Sequence, residues 1–160
     1  MKKVLIIMGS KSDYEVVSKA EGVLDDFGVE RETRIISAHR TPEVAAEVAA
    51  GAEENGFEAV ICAAGKAAHL AGVIAAHTVL PVIGIPMKTS DLGGMDSLLS
   101  TVQMPKGVPV ATVAIGGAEN AALLAIQIMG GAHPDLREAF RAYKVRMDEE
   151  IKALDAEMNA

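Results

Sequence analysis

Residues 3–13 read KVLIIMGSKSD, an apolar run that gives way at once to glycine, hydroxyl and carboxylate side chains. The run is rich in branched aliphatic residues and predicts a short β-strand that is buried on both faces. Helical spacing follows, because residues 13–27 place one set of apolar side chains on a common side: Val16, Val17, Ala20, Val23, Leu24 and Phe27. A buried strand followed by an amphipathic helix is the repeating unit of an α/β protein.

The same alternation recurs along the chain. Four further β-branched runs are RETRIIS (31–37), EAVICAA (58–64), PVIGIPM (81–87) and PVATVAIG (109–116). Helical stretches separate them, and the second helix is marked by Thr41 and Pro42 at its start and by ENG (54–56) at its end. Strands that are apolar throughout imply a parallel sheet with helices on both faces. The sequence therefore predicts an α/β fold with three layers, α/β/α.

Length and composition predict one globular domain over residues 1–160. We divide it into an α/β core over residues 1–132 and a C-terminal helix over residues 133–160. The formal net charge of −7 argues against nucleic acids and anionic membranes as partners, because both need a basic face. The single cysteine, Cys62, lies within an apolar run, where a small core residue is more common than a reactive thiol.

The chain carries no pattern typical of export or membrane insertion. The apolar stretch VLIIM (4–8) is too short for the core of a signal peptide, and no run is long enough to span a bilayer. One cysteine cannot form an internal disulfide, which fits a reducing compartment. We therefore expect a cytoplasmic protein.

Two predicted helices are apolar on nearly every side: AAHLAGVIAAHT (67–78) and AENAALLAIQIMGG (118–131). We expect neighbouring subunits to cover them, since a small domain has few places that bury a helix all round. The last stretch of the chain carries a narrow stripe of apolar residues spaced by threes and fours: Leu136, Phe140, Tyr143, Met147, Ile151, Leu154 and Met158. This stripe favours a helix at a subunit interface, and a terminal helix packed on its own domain is the alternative.

Three polar clusters directly follow predicted strands. They are Ser10, Ser12 and Asp13 in MGSKSD (8–13), Ser37, His39 and Arg40 in SAHR (37–40), and Gly65, Lys66 and His69 in AAGKAAHLAG (63–72). The carboxyl ends of parallel strands lie at one edge of the sheet, where open α/β sheets bind ligands. Glycine, hydroxyls and free amides at a helix start suit an anion such as phosphate, and arginine offers a fork for the same group. The clusters therefore predict one anion-binding site.

Each cluster also has a purely structural interpretation. Ser12 or Asp13 would cap the helix that begins there. His39 would be a hydrogen-bonded turn residue, Arg40 a solvent-exposed charge, and His69 a histidine inside a packed helix. Two clusters at consecutive strand ends would meet in space, which favours binding over these alternatives.

Histidine is the side chain best suited to giving and taking a proton near neutral pH, so His39 is the candidate acid–base. His77 and His133 stand in no such cluster and are interpreted as ordinary residues. No zinc-ligand spacing and no G-x-x-x-x-G-K-[ST] motif occurs in the sequence. We therefore expect neither a metal nor a bound nucleoside triphosphate.

Four segments together resemble one family: GSKSD (9–13), SAHRTP (37–42), AAHLAGVIAAHTVLPVIGIPM (67–87) and GMDSLLSTVQMPKGVPVATVAIG (94–116). In this order and at these separations they are similar to the PurE family, bacterial mutases that act on N5-carboxyaminoimidazole ribonucleotide in purine synthesis. The resemblance implies a flavodoxin-like domain that assembles as an octamer. It also implies transfer of a carboxylate from the exocyclic nitrogen to C4 of the imidazole ring, with no ATP, metal or biotin.

By that resemblance, His39 is the catalytic acid–base. The implied substrate-binding residues are Ser10, Ser12 and Arg40 for the phosphate, Asp13 for the ribose hydroxyls, Ser37 beside them, and Gly65, His69 and Leu70 around the migrating carboxylate. The chain departs from the commonest family pattern at Lys66, where a second glycine is more usual. A lysine there would add a charge near the carboxylate.

Two rival functions stay open at the level of sequence. The carboxylase branch of the same superfamily takes free carbon dioxide and aminoimidazole ribonucleotide, and its members usually show HK and then glycine-proline where this chain has HRTP, so Arg40 and Thr41 favour the mutase. A catalytically silent nucleotide-binding module is the second rival, because the fold alone permits it. For the mutase, a carboxylating synthetase is the expected functional partner.

Overall fold

The computed structural model describes residues 2–160, which contain one five-stranded sheet. Its strands are β1 (Lys3–Met8), β2 (Glu30–Ile35), β3 (Ala59–Ala64), β4 (Val82–Pro86) and β5 (Ala111–Thr112). They lie in the order β2-β1-β3-β4-β5, and every neighbouring pair is parallel. This is the flavodoxin-like order. The chain first places β2 on one side of β1 and then adds β3, β4 and β5 on the other side, so the strand order switches between β1 and β3.

Within the described residues, six α-helices accompany the sheet. They are α1 (Tyr14–Asp26), α2 (Pro42–Gly51), α3 (Leu70–His77), α4 (Met95–Val102), α5 (Ala118–Met129) and α6 (Pro134–Met158). A short 3-10 turn, Lys11–Asp13, precedes α1, so the α-helix starts one residue later than predicted. Helices α1 and α5 pack on one face of the sheet, and α2 and α3 pack on the other. The predicted three-layer α/β/α fold is confirmed.

All five predicted strands are present, but their burial differs. β1, β3 and β4 are buried along almost their whole length. The prediction of burial on both faces is wrong for β2, which reads ERETRI, forms an edge of the sheet and is mostly exposed. Charged side chains on an edge strand discourage pairing with another sheet. β5 forms the opposite edge and contains only two residues.

Helix α5 is covered by its own subunit. Ala121, Ala122, Ala125 and Ile126 are fully buried in the cluster that joins α5 to α1, β3 and β4. The expectation that neighbouring subunits cover this helix is therefore wrong for most of its surface. The sheet, α1 and α6 enclose it from several sides, which the apolar composition of the helix did not reveal.

Helix α6 has two halves with different surroundings. In the first half Leu136 is buried, and the rings of Phe140 and Tyr143 lie 6.3 and 5.8 Å from the ring of Phe27. Beyond Tyr143 the apolar stripe is exposed, at 45% for Met147, 65% for Ile151, 56% for Leu154 and 88% for Met158. About 20 Å of helix thus carries a stripe that the subunit does not cover.

Within residues 2–160, every helix is too short or too polar to span a bilayer.

Candidate functional site

A pocket of about 540 Å³ opens at the carboxyl edge of the sheet. Its walls come from segments that follow four strands, namely residues 9–13, 37–40, 64–70 and 87–90. It lies beside the ends of β1 and β3, where the strand order switches, and open α/β sheets bind ligands at that point. All ten residues that the sequence nominated line it: Ser10, Ser12, Asp13, Ser37, His39, Arg40, Gly65, Lys66, His69 and Leu70.

The turn after β1 presents two hydroxyl groups side by side. The Ser10 hydroxyl oxygen accepts a hydrogen bond from the Ser12 N–H at 3.3 Å and another from the Ser12 hydroxyl at 2.9 Å. Ser10 is therefore the cap of the 3-10 turn, and Asp13 makes no side-chain capping bond to α1. The structural interpretation of Ser12 and Asp13 as helix caps is wrong. An entering anion would compete for the bond between the two hydroxyls.

Asp13 lies half-buried in the pocket wall, beside these hydroxyls. Burial raises the pKa of its carboxyl above the usual value, and a hydrogen bond with the Ser10 backbone opposes part of that shift. An ionised carboxylate accepts hydrogen bonds from hydroxyl groups such as those of a sugar. The position of Asp13 is therefore compatible with the ribose role.

A hydrogen-bond network around Ser37 holds the loop after β2. The Thr41 hydroxyl accepts from the Ser37 N–H and donates to the Ser37 carbonyl, each at 3.0 Å. The Ser37 hydroxyl accepts from the Arg40 N–H at 3.1 Å and from Arg40 Nε at 3.3 Å. Arg40 Nη2 donates to the Gly9 carbonyl at 2.8 Å, so the guanidinium is held across the ends of β1 and β2. This restraint argues against Arg40 as a freely solvated charge.

His39 and His69 form a hydrogen-bonded pair in the pocket. His39 Nε2 lies 2.8 Å from His69 Nδ1, and the two rings meet edge to face at 89°. A ring nitrogen donates only when it carries a hydrogen, so one facing nitrogen is protonated and the other is bare. His69 is exposed at the start of α3, and its interpretation as a histidine inside a packed helix is wrong. The sequence nominated both residues but gave the acid–base role to His39 alone, and the structure couples His39 to the His69 imidazole.

Lys66 is the one non-glycine residue within residues 2–160 with a positive φ, at 55°. This left-handed conformation costs a residue with a side chain about 1–2 kcal/mol, which glycine avoids. Lys66 Nζ lies 3.1 Å from Asp91 Oδ2, with side chains 73% and 67% exposed. An exposed pair of this kind contributes about 0–1 kcal/mol. The ion pair does not offset the backbone cost, so stability does not explain the lysine.

The loop that carries Lys66 is fixed by α4 and by the segment after β4. The Ala68 N–H donates to the Ser100 hydroxyl at 3.0 Å, and the same hydroxyl lies 3.2 Å from the Lys66 carbonyl. A Cβ added to Gly65 would lie in van der Waals contact with Thr89 Cγ2 at 3.4 Å, so the loop after β3 packs directly against the segment after β4. The backbone of this wall is well held, whereas the Lys66 side chain is exposed.

The fourth wall, residues 87–90, was not predicted. The Thr89 hydroxyl donates to Asp96 Oδ1 at 2.8 Å and accepts from the Gly94 N–H at 3.2 Å, which anchors the segment. The sequence did contain a signal, because PVIGIPM is followed directly by the polar residues KTSD. That segment holds a lysine and two hydroxyls but neither histidine nor arginine, and it was not included among the polar clusters.

The two remaining histidines lie outside the pocket, as predicted. His77 is exposed at the end of α3, and His133 Nε2 lies 2.7 Å from the Glu58 carboxylate. Burial raises the pKa of the Cys62 thiol, which confirms the interpretation of that residue as part of the core. Across residues 2–160, no three His, Cys, Asp or Glu side chains gather as a metal site would require.

The chain is similar to known proteins over almost its whole length. The profile of a family described as AIR carboxylase matches residues 3–150. The N5-carboxyaminoimidazole ribonucleotide mutase of Pyrococcus horikoshii is 56% identical over 154 residues, which cover 94% of this chain and 87% of the relative. The mutase of the same name from Mycobacterium tuberculosis is 52% identical over 156 residues, which cover 98% of this chain and 90% of the relative. A crystal structure of a Treponema denticola PurE2 variant superimposes with a TM-score of 0.89 at 28% identity and 98% coverage of each chain.

Proposed function

Because this chain belongs to the AIR carboxylase family, we propose that it acts as an N5-carboxyaminoimidazole ribonucleotide mutase, the activity for which its curated relatives are named. It is an isomerase of purine biosynthesis that converts its substrate to 4-carboxy-5-aminoimidazole ribonucleotide. The observation that carries the proposal is the convergence of an arginine, a hydroxyl-bearing turn and a histidine pair in one pocket. Such a pocket suits a phosphorylated substrate that undergoes proton transfer.

The end of the pocket at β1 and β2 would hold the phosphorylated ribose. Ser10, Ser12 and Arg40 would bind the phosphate, since hydroxyls and a guanidinium donate hydrogen bonds to its oxygens. Asp13 would accept from the ribose hydroxyls, and Ser37 would keep Arg40 in place. The contacts of Arg40 with Ser37 and with the Gly9 carbonyl support this arrangement, because they bring the guanidinium to the β1 turn.

The end at β3 would hold the imidazole ring and its carboxylate. Gly65, Lys66, His69 and Leu70 would surround the carboxylate, and His39 would be the acid–base. Leu70 is largely buried and lines the pocket at this end. The contact between His39 and His69 supports the assignment, since it puts a proton-transfer group beside the β3 loop.

The mutase reaction needs two proton transfers that one imidazole can perform. When the N–C bond of the carboxylated nitrogen breaks, carbon dioxide leaves and the nitrogen takes a proton from the acid. C4 then attacks the carbon dioxide, a C–C bond forms, and the base removes the proton from C4. His39 would donate the first proton and accept the second, which restores its starting state.

We expect the migrating carboxylate to stay with its own molecule. Substrate with an isotopically labelled carboxylate is incubated with enzyme in unlabelled bicarbonate, without added ATP, and the label in the product is measured. Most of the label should be retained, because a positioned acid–base next to a confined carbon dioxide makes recapture faster than escape.

A sample without enzyme measures spontaneous decarboxylation and is subtracted. If the label in the product falls to the level of the bulk bicarbonate, free carbon dioxide is the working substrate. That result would move the chain to the carboxylase activity, against which Arg40 and Thr41 argue at the level of sequence.

The exposed stripe of α6 supports a homo-oligomer, which by family resemblance would be an octamer. In this proposal residues 1–132 form one α/β core, and residues 133–160 form a helix that contacts a neighbouring subunit. Four large apolar side chains aligned on one exposed face are costly in water, and a second apolar surface would cover them: Met147, Ile151, Leu154 and Met158.

Light scattering of the wild type should therefore give a mass several times the 16.7 kDa of the chain. The double substitution Ile151→Glu with Leu154→Glu should reduce that mass, because it puts charges into an apolar contact. Both side chains are exposed in the subunit, so its fold should survive. Lys152→Glu, a charge change beside the stripe, is the control. A wild-type protein that runs as an active monomer would contradict the interface.

We place the enzyme in the cytoplasm with the other reactions of its pathway. A carboxylate on an exocyclic nitrogen is a carbamate, and carbamates lose carbon dioxide readily in water. A carboxylating synthetase that works nearby would limit that loss, so functional coupling to such an enzyme is part of the proposal.

A further inference from the structure

We propose that Lys66 makes this pocket selective for carboxylated nucleotides, and that Asp91 holds the lysine side chain while the pocket is empty. The inference rests on the proposed function, since it concerns the carboxylate of that substrate. On substrate binding, Lys66 would exchange the carboxylate of Asp91 for the carboxylate of the ligand. Lys66 would thus be a specificity residue of the pocket.

The position of Lys66 is set by its backbone, and its side chain is free to change partners. Ser100 holds the loop, because its hydroxyl oxygen accepts a hydrogen bond from the Ala68 N–H. The Lys66 side chain and its partner Asp91 are both largely exposed, so water replaces either partner at little cost. The ammonium group therefore lies beside the pocket in a contact that is easily opened.

Three cationic side chains line the pocket, Arg40 at the β1 and β2 side and Lys66 and Lys88 at the β3 and β4 side, so both ends can meet an anion. Arg40 spans the ends of β2 and β1, and Lys66 reaches from the end of β3 to the loop after β4. The two cations come from different walls of the same pocket, Arg40 from the loop after β2 and Lys66 from the loop after β3. Arg40 would thus meet the phosphate and Lys66 the group carried by the ring.

The backbone of Lys66 supports a role for its side chain. Its left-handed conformation suits glycine better, and the exposed ion pair with Asp91 is too weak to offset that strain. The Lys66 side chain therefore adds little to stability, although its backbone is strained. Strain of this kind in a pocket wall points to a ligand contact.

The test compares two ligands that differ only in the carboxylate. Isothermal titration calorimetry measures the Kd of 4-carboxy-5-aminoimidazole ribonucleotide and of 5-aminoimidazole ribonucleotide with the whole chain. Lys66→Gln should weaken the carboxylated ligand by roughly three- to tenfold, the size of one exposed charge-assisted contact, and leave the other within about twofold. Asp91→Asn should have the opposite effect and tighten the carboxylated ligand by about two- to threefold, because the lysine loses its competing partner.

Two further variants separate recognition from folding. Lys66→Gly should lose the same selectivity while its melting temperature stays equal to or above that of the wild type, since glycine relieves the strain. Lys19→Gln removes an exposed lysine of α1 outside the pocket and should change neither Kd. Equal weakening of both ligands by Lys66→Gln, or no change in either, would overturn the inference. Conversion of substrate by the wild type tests the proposed mutase function separately. A failure of the mutase function can therefore be told apart from a failure of the Lys66 selectivity.

Discussion

Replacement of His39 by asparagine is expected to lower kcat by roughly 100-fold or more, while the affinity for the nucleotide stays within about tenfold of the wild type. Asparagine is smaller than histidine and places its amide near the Nδ1 position of the ring, so it also gives up the contact that His39 Nε2 makes with His69. It does not exchange a proton near neutral pH, so both proton transfers of the proposed reaction lose their carrier. Steady-state kinetics with calorimetric binding separates kcat from affinity.

The contact between His39 and His69 makes a second variant necessary. His69→Asn should reduce kcat less than His39→Asn, because His69 would orient the neighbouring ring and line the carboxylate pocket. His77→Asn, at the exposed far end of α3, is the matched control and should behave as the wild type. If His69→Asn loses turnover while His39→Asn keeps it, the acid–base role belongs to His69.

Replacement of Arg40 by alanine should weaken substrate binding by about 1.5–3 kcal/mol, which corresponds to a rise of roughly 10- to 150-fold in Kd. The guanidinium is held at the β1 turn by the Gly9 carbonyl and Ser37, where it would meet the phosphate without first losing rotamer freedom. Calorimetry with the product nucleotide measures the change, since binding needs no turnover.

The unphosphorylated nucleoside gives the decisive comparison. If Arg40 binds the phosphate, the nucleoside should bind the wild type poorly, and Arg40→Ala should change its affinity little. Arg34→Ala removes the same side chain from an exposed position on β2 that does not line the pocket, and it should have no effect. Equal affinity of the wild type for nucleoside and nucleotide would refute the phosphate role.

The fold was predictable because its signals are local. Continuous apolar runs indicate buried strands, and β1, β3 and β4 all contain such a run. The burial of β2 was mispredicted although its own residues carried a signal, since four of the six side chains of ERETRI are charged, as suits the edge of a sheet. The cover of α5 was misjudged because α1, α6 and the sheet close around it only in three dimensions.

Parallel topology made the site predictable as well. Residues after successive parallel strands must meet at one edge of the sheet, so the order of strands and motifs along the chain is enough to bring Ser10, Ser37 and Gly65 together. The segment 87–90 obeys the same rule, and Lys88, Thr89 and Ser90 carry a cation and hydroxyls that suit an anion, but it was missed because no histidine or arginine marks it.

The amino-acid sequence by itself determined the α/β alternation, the ten residues of the candidate site and the family, since each depends on residue type and order along the chain. Tertiary structure alone decided which of those residues touch. The contact of His39 with His69 joins positions 30 apart, and that of Lys66 with Asp91 joins positions 25 apart. Contacts of this kind depend on strand order, loop conformation and side-chain direction together, and no local pattern in the chain encodes all three.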